Sequence, residues 1–387
     1  MAKFLPFSQP LIGREEIEEV IETLKSGWLT TGPKTREFEE AFKRYIGCKY
    51  AIALNSCTGG LHLSLAAFSI GRGDRVITTP FTFISTVNVI LHLQALPIFV
   101  DIDPKTLNID PERVEECLKK RKAKAIIPVH YAGQPCDMDR ILRIAKRYGL
   151  IVIEDAAHAV GAEYKGRKIG SIGDVTCFSF YATKNLVTGE GGMATTNNKR
   201  VADRIRVYSL HGMSRDAWMR YTEKGSWYYE VVYPGFKYNM MDIQASLGLH
   251  QLRRLQQFQK RREEIADSYN KAFQDMEEIE TPYVGEKVKH AWHLYVLKLR
   301  KEKLCIDRNR FIEELRKENI GASVHFIPVH LHPWYRKNFG FKRGAFPIAE
   351  DAYSRVVSLP IYPKMKDRDI ERVIRAVKRI VRKYRKP

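Results

Sequence analysis

An α/β fold, with a mostly parallel central sheet and helices on both faces, is what this sequence predicts. Three features of residues 49–197 carry that prediction. Short β-branched runs alternate with helical patterns, the signature of strands joined by crossover helices. The runs are apolar throughout, so each strand must be covered on both faces. Polar or glycine-rich clusters follow several runs, at what would be the carboxyl ends of strands, where sheets of this kind bind ligands.

Taken in order, "YAIALN" reads as a strand, and "TGGLHLSLAAFSIG" as a helix opened by small polar residues and closed by glycine. "DRVITTP" is a strand and "STVNVILHLQA" its helix. "LPIFVDID" is followed by "PERVEECLKKR", with proline in the first turn. "AKAIIPVH", "MDRILRIAKRYG", "LIVIED" and "DVTCFSF" continue the alternation. After residue 198 the character changes. "KRVADRIRVYSLHG" is helical, "RYTEKGSWYYEVVYPGFKYNM" is aromatic and irregular, and a long helical region spans about residues 241–276. "HAWHLYVLKL", "RNRFIEELRKENI", "GASVHFIPVH" and a basic terminal helix then suggest a smaller α+β unit. The expected division is a large domain with an N-terminal arm over residues 1–260 and a small domain over residues 261–387.

Composition narrows the function. A chain of 387 residues, 44% hydrophobic, can bury a large core. No run approaches the roughly 20 apolar residues of a membrane span, and the proline-interrupted N-terminus lacks a signal-peptide core. A cytoplasmic protein without stable membrane insertion is expected. The six cysteines are scattered without a Cys-x-x-Cys pair, which suggests buried free thiols. The net charge of +20 raises a nucleic-acid hypothesis, but residues 364–387 alone carry eleven Lys/Arg against three Asp/Glu. Within that tail Ile370, Val373, Ile374, Val377, Val381 and Tyr384 form one helical stripe, so it reads as a docked helix with a basic solvent face. No nucleic-acid reader motif accompanies the charge, which equally suits anionic small substrates.

The candidate chemistry sits at strand ends. Lys184, in "FSFYATKNLVTGEGG", could be a surface cation, a phosphate anchor or a nucleophile. It belongs to no nucleotide P-loop; the chain also lacks a dinucleotide fingerprint and an H-E-x-x-H motif. "NSCTGG", between a strand and a helix, offers Thr58 and Gly59 either to an anion or to an ordinary N-cap. In "LIVIEDAAHA" a desolvated carboxylate demands a cationic partner. Asp155 could face a ligand's protonated ring nitrogen while Glu154 points away, or it could form a structural ion pair. His158 could contact a ligand or cap the next turn. Among His290, His293, His325, His330 and His332 no carboxylate or cysteine stands at ligand spacing, so no metal site is expected and a pocket-lining histidine is the better reading. A phosphate-ready helix start, an aspartate at a strand end, an aromatic at Phe81 or Phe83, and a lysine after another strand together match the needs of pyridoxal phosphate.

The strings "SGWLTTGP", "NSCTGG", "DRVITTPFTFISTVN", "IIPVHYAGQPCDMD", "IEDAAHAVGAEYKG", "FSFYATKN", "TGEGGM", "LHGMSRDAW" and "PGFKYNMMDIQASLGLHQL" closely resemble the sugar aminotransferases of the DegT/DnrJ/EryC1/StrS family, over about residues 4–363. The resemblance implies a pyridoxal-phosphate-dependent transferase of fold type I, acting as a homodimer with sites at the subunit interface. By the same likeness Lys184 matches the lysine joined to the cofactor, Asp155 the partner of its ring nitrogen, and His158 the residue at its ring hydroxyl. Thr58, Gly59 and Ser179 match phosphate positions, as does Asn239, given by the other subunit. Phe83 matches a ring-stacking aromatic, and His325 and Trp28 positions near a sugar-nucleotide pocket. "SCTGG" departs from the commoner S-x-T-A-A/G, which leaves Gly59 only its backbone to offer; "NLVTGEGG" also departs from the usual pattern. The lysine itself argues against the histidine-bearing dehydratase branch. The resemblance is strongest to enzymes that move an amino group from glutamate, leaving 2-oxoglutarate, to carbon 4 of UDP-linked keto sugars for polysaccharide or lipid A synthesis. A 3-keto acceptor is the alternative, and a basic DNA-binding regulator a remote one.

Overall fold

The computed structural model describes residues 3–213 and 228–387. The end of the "LHGMSRDAW" string and residues 220–227 of the aromatic stretch lie outside the described residues. Two helices, α1 (Arg14–Lys25) and α2 (Pro33–Ile46), precede the sheet region. There β1 (Tyr50–Leu54), α3 (Cys57–Ala67), β2 (Arg75–Thr78), α4 (Ser85–His92), β3 (Leu96–Phe99), α5 (Pro111–Lys120), β4 (Ala125–Ile126), α6 (Met138–Tyr148) and β5 (Ile151–Asp155) follow the predicted alternation. A hairpin of β6 (Glu163–Tyr164) and β7 (Arg167–Lys168) intervenes before β8 (Val175–Ser179), β9 (Gly192–Thr196) and α7 (Lys199–Tyr208).

These strands form a seven-stranded sheet in the order β1-β9-β8-β5-β4-β2-β3. Every pairing from β8 to β3 is parallel, whereas β9 runs antiparallel to both β1 and β8. Within the seven-stranded sheet, β9, "GMATT", is the strand that the sequence reading did not anticipate. Its first residue has to be glycine. A Cβ on Gly192 would lie 2.4 Å from the carbonyl carbon of Ser56 and 2.5 Å from the amide nitrogen of Cys57, so the strand can start against the helix terminus only without a side chain. Helix α3 also ends differently from expectation: Ser69, with φ of 55°, turns the chain before Gly71 is reached.

Each face of the sheet is covered, as uniformly apolar strands require. On one side Leu61, Leu63 and Leu65 of α3, Val89 and Ile90 of α4, and Val201 and Ile205 of α7 pack on Ile52, Val76, Ile153 and Val175. The opposite core holds Phe38 and Phe42 of α2, Met138, Ile141 and Ile144 of α6, and Ala245 and Leu249 of α8 (Asp242–Phe273). Helix α3 is buried on all sides, which its lack of a polar face demands.

Helix α8, 32 residues long, continues past residue 260 and gives Ile265, Tyr269 and Phe273 to another core. That core lies against the sheet β10 (Ile279–Glu280), β12 (Tyr295–Leu299) and β13 (Val356–Leu359), while β11 (Val288–Lys289) joins the β6–β7 hairpin. Helices α9 (Arg308–Lys317) and α12 (Asp367–Tyr384) supply Phe311, Leu315, Ile370, Val373, Val377 and Val381 to it. Ile374 and Tyr384 of the predicted stripe are only partly buried. Full burial of each such aliphatic side chain contributes about 1.5–3 kcal/mol, so apolar burial suffices to dock α12. Helices α10 (Pro333–Phe339) and α11 (Pro347–Arg355) complete the chain. Leu5 pairs with Ile320 and packs in the C-terminal core, so the N-terminal arm crosses over to that part.

Among the cysteines, Cys48, Cys57, Cys136 and Cys177 are free and buried; Cys117 is half-buried, and Cys305 is exposed, contrary to the expectation. No helix of the described residues is long and apolar enough to cross a membrane.

Candidate active site

Strand β5 ends on two adjacent carboxylates, and the strand's twofold period sends them to opposite faces. Glu154, fully buried, accepts hydrogen bonds from Thr176 Oγ1 at 2.7 Å and the Gly173 amide at 2.7 Å, and pairs with His130 Nε2 at 2.9 Å. Burial alone would raise its carboxyl; the His130 contact and these donors outweigh that and hold it below the usual value. Asp155 turns the other way. Its Oδ2 accepts from Thr86 Oγ1 at 2.7 Å and its Oδ1 from the Ala157 amide at 3.1 Å. Thr82 hydrogen-bonds Thr86 in turn at 2.9 Å. No ion pair to Asp155 is formed among the described residues, so a buried carboxylate lines a cavity with capacity left for a cation.

That cavity, of about 440 Å³, is lined by Thr58, Phe83, Asp155, His158, Ser179, Lys184 and His325. Seven predicted site residues from five separate strand-end or loop segments therefore share one space. Lys184 follows β8 and donates its amide to Tyr181 O at 2.8 Å. Its side-chain nitrogen has no hydrogen-bond partner among the described residues. Burial pushes its ammonium down to about 8, against smaller opposing pulls from Cys57 and Asp155. The ammonium form still prevails at neutral pH, but far more of this amine is neutral than of an ordinary lysine, as a nucleophile or proton carrier requires.

At the start of α3, Ser56 caps the helix by accepting the Gly59 amide at 3.0 Å. Both earlier alternatives meet here: the N-cap exists, and it occupies the Gly59 amide, so Gly59 does not line the cavity. The Cys57 and Thr58 amides precede it and have no acceptor among the described residues, which leaves donors and a positive helix end facing the cavity. Phe83 is 56% exposed beside the cavity, while Phe81 is buried, which resolves the choice between them. His158 packs 4.3 Å from His293 and 5.7 Å from Phe326, ring centre to ring centre. Burial first, then Lys184 and His325, hold His158 well below its ordinary value, so it is neutral. His325 is likewise pushed down to about 4 by burial and by Lys184, and Phe7 of the N-terminal arm stacks on it at 5.4 Å.

Two further predicted residues lie elsewhere. Trp28 is half-buried, with its indole N–H on Thr31 O at 3.2 Å, and Asn239 donates to Thr31 Oγ1 at 2.7 Å; neither lines this chain's cavity. The reading of single residues missed Phe7, Tyr181, Glu190, His293 and Phe326. Only for His293 did the sequence hold a signal, the paired histidines of "HAWH" and the expectation that a histidine would line a pocket.

The donor set fits pyridoxal phosphate: an unpartnered amine for an aldehyde, a buried carboxylate with room for a protonated ring nitrogen, and free helix-terminal amides beside Ser179 for a phosphate. The profile of the DegT/DnrJ/EryC1/StrS aminotransferase family matches residues 10–378. The chain is 58% identical over 380 residues to the spore coat polysaccharide biosynthesis protein SpsC of Bacillus subtilis, covering 98% of this chain and 97% of that one. Among solved structures, Spr1654 of Streptococcus pneumoniae in its PLP form superposes with a TM-score of 0.90 at 36% identity, over 98% of this chain and 99% of that one. PseC of Helicobacter pylori, an aminotransferase involved in the biosynthesis of pseudoaminic acid, gives a TM-score of 0.91 at 30% identity, over 99% and 100%. With this cavity and these likenesses together, the chain belongs to the DegT/DnrJ/EryC1/StrS aminotransferase family and is a pyridoxal-phosphate-dependent aminotransferase.

Proposed function

We propose that the enzyme moves an amino group from glutamate to the 4-keto position of a UDP-linked sugar, in the building of cell-surface polysaccharide or of sugars for lipid A. The observation that carries the reading is the convergence of the Lys184 amine, the Asp155 carboxylate and the free amides of α3 on one cavity. SpsC and PseC, by what their names say of them, support a sugar acceptor. The net charge of +20 favours an acceptor that carries a diphosphate.

When bound, pyridoxal phosphate supplies the aldehyde that takes up the amino group and a ring that accepts electrons. The chain's own groups do the rest. Lys184, its amine partly neutral, attaches the cofactor and afterwards carries a proton to and from the reacting carbon. Asp155 keeps the ring nitrogen protonated by its charge, and Thr86 and Ala157 keep that carboxylate aimed. The Cys57 and Thr58 amides with Ser179 hold the phosphate. With its own amide committed to Ser56, Gly59 serves by admitting the close approach of Tyr238, whose ring carbon would sit 3.2 Å from a Cβ there. Phe83 offers a face to the ring, and neutral His158 a hydrogen bond to its hydroxyl oxygen. His325 and Trp28 bound the sugar-nucleotide region. Because Asn239 does not line its own cavity, its phosphate contact would come from the partner subunit of a homodimer.

A panel of 3-keto and 4-keto sugar nucleotides offered with glutamate tests the acceptor, 2-oxoglutarate release being the readout. Turnover of a 3-keto sugar in preference to every 4-keto sugar would overturn the position assigned. Absorption spectra of wild type and Lys184→Ala with cofactor test the lysine; an unaltered visible band in the variant would sink its role. Mixing Lys184→Ala with Asn239→Ala chains tests the shared site, and absence of any recovered activity counts against it.

A further inference from the structure

We infer that Asn108 is a positioning residue for His158: it staples a left-handed turn whose Ala132 amide fixes the imidazole as a hydrogen-bond donor on Nε2. The inference rests on the assignment of His158 to the cofactor's ring hydroxyl and goes beyond it, to a residue that does not line the cavity.

The stretch "VDIDPKTLNID", Val100 to Asp110, leaves β3 and folds on itself. Asp103 Oδ1 accepts the amides of Lys105 at 3.0 Å and Thr106 at 2.7 Å, as a short carboxylate readily does with its own backbone. The Asp103 amide donates to Asn108 O at 2.8 Å. Asn108, 3% exposed, is thereby held with its side chain against a second loop. Its Oδ1 accepts the Tyr131 amide at 2.9 Å, an amide shared with Val129 O at 2.9 Å. Its Nδ2 donates to Gln134 O at 3.0 Å and to Pro135 O at 3.1 Å. The acceptor meets an N–H and both donors meet carbonyls, so the amide has one satisfactory orientation and no spare hydrogen. An aspartate of the same shape would set an oxygen against two carbonyl oxygens.

The stapled loop keeps a conformation that its residues do not favour. Ala132 has φ of 58°, the left-handed region that a Cβ makes costly. Gly133 follows with φ of 100°, and a Cβ there would lie 3.0 Å from Ala291 Cβ and 3.1 Å from His158 O. Strain of this kind persists where the surroundings over-determine it. Asn108 supplies that from both sides of Ala132, through Tyr131 before it and Gln134 and Pro135 after it. On the far side the Leu294 amide donates to Ala132 O at 3.1 Å and the Ala291 amide to Gly133 O at 2.9 Å.

What the turn delivers to the site is one N–H. The Ala132 amide donates to His158 Nδ1 at 3.2 Å, so the neutral ring carries its single hydrogen on Nε2. The same loop sets a second imidazole in the same way. The Cys136 amide donates to His130 Nδ1 at 3.0 Å, and His130 Nε2 then faces Glu154 Oε2 at 2.9 Å as a donor. His130 spends its donor on a carboxylate of the protein, whereas His158 lines the cavity and offers its donor to a ligand. A donor fixed in this way suits an oxygen that carries negative charge.

The experiment begins with the apoprotein, held well below the unfolding midpoint of every variant. Ring ¹⁵N spectra of histidine-labelled protein at neutral pH, assigned with His158→Gln, are expected to give His158 as the Nε2–H tautomer alone. In Asn108→Ala and Asn108→Asp its Nδ1 signal is expected to move towards that of a ring exchanging between tautomers. The Ala132 amide in both variants should exchange with solvent about tenfold faster or more. Ala132→Gly keeps the amide and frees the turn of its strain, so it should leave the His158 signal as in wild type. Added to Asn108→Ala, it should recover part of the lost protection. His158 found as Nδ1–H in wild type, a lowered melting temperature in both Asn108 variants with an unchanged His158 signal, or no recovery in the double variant overturns the inference. The dissociation constant of pyridoxal phosphate, by fluorescence titration, is expected to rise about fivefold to tenfold in Asn108→Ala. An unchanged constant beside an altered His158 signal supports the inference and sinks the cofactor contact assigned to His158.

Discussion

Glu154 and Asp155 stand side by side on one strand, both buried, and face opposite sides of one sheet. On the Glu154 side every need is met from within: a histidine, a threonine and an amide close around the carboxylate. On the Asp155 side a hydroxyl and an amide orient the group, but the countercharge is left to something else. Burial is therefore a poor guide to purpose here. What separates the two carboxylates is the capacity that remains after the protein's own partners are counted.

The largest contrast comes from breaking the open side at its amine. Lys184→Ala is expected to cut turnover about 1,000-fold or more, by steady-state assay, while leaving the melting temperature of the apoprotein at or above that of wild type. Next, Glu154→Ala strands His130 and should cost about 3–5 kcal/mol in denaturant unfolding. Asp155→Asn should cost no more than about 1 kcal/mol in the same measurement. Its turnover should nevertheless fall on the order of 100-fold, because a fixed charge is lost where the reaction needs it. Equal stability losses for the two variants would erase the contrast.

Acidity sharpens it further. The folded Glu154 carboxyl lies below its reference of 4.5, so its stabilising effect is whole above that pH and is lost as pH falls through the lower folded value. Glu154→Gln should flatten that part of the acid unfolding curve. For Lys184 the sign is opposite: its folded value of about 8 lies below the reference of 10.5, so the cost of burying the ammonium is present below about 8 and fades towards 10.5. Acylation of Lys184 in the apoprotein should accordingly rise through a midpoint near 8. The smallest effect is expected at Phe83, where Phe83→Leu should shift stability by about 0.5 kcal/mol or less. Cofactor affinity, read by fluorescence titration, should weaken about threefold to tenfold in the same variant through loss of an aromatic face.

Much of this could be read from the chain because the sheet writes its own period. Asp155 and Lys184 end or follow apolar runs long enough to be strands, so their place at the carboxyl rim followed from connectivity alone. Strand β9 was hidden because "GMATT" carries two small residues and two threonines, without the aliphatic run of its neighbours. His293 and Phe326 reach the cavity from segments more than 100 residues beyond Lys184, and no local pattern encodes that packing. At Gly59 the sequence permitted both a cap and an anion donor; the hydroxyl of Ser56, three residues earlier, decided for the cap. Trp28 and Asn239 were placed by resemblance, and the single chain gives them other partners.

Helix α8 has a practical consequence for anyone who wants to take the protein apart. At about 1.5 Å per residue its 32 residues span nearly 50 Å, with Leu249 and Leu255 in one core and Ile265, Tyr269 and Phe273 in the other. Scissors placed at residue 260 would cut a rod in mid-span. Each fragment would keep half a helix with its apolar side bare, so neither half would make a clean standalone reagent; a split-protein reporter that needs both halves to meet is the better use of that position.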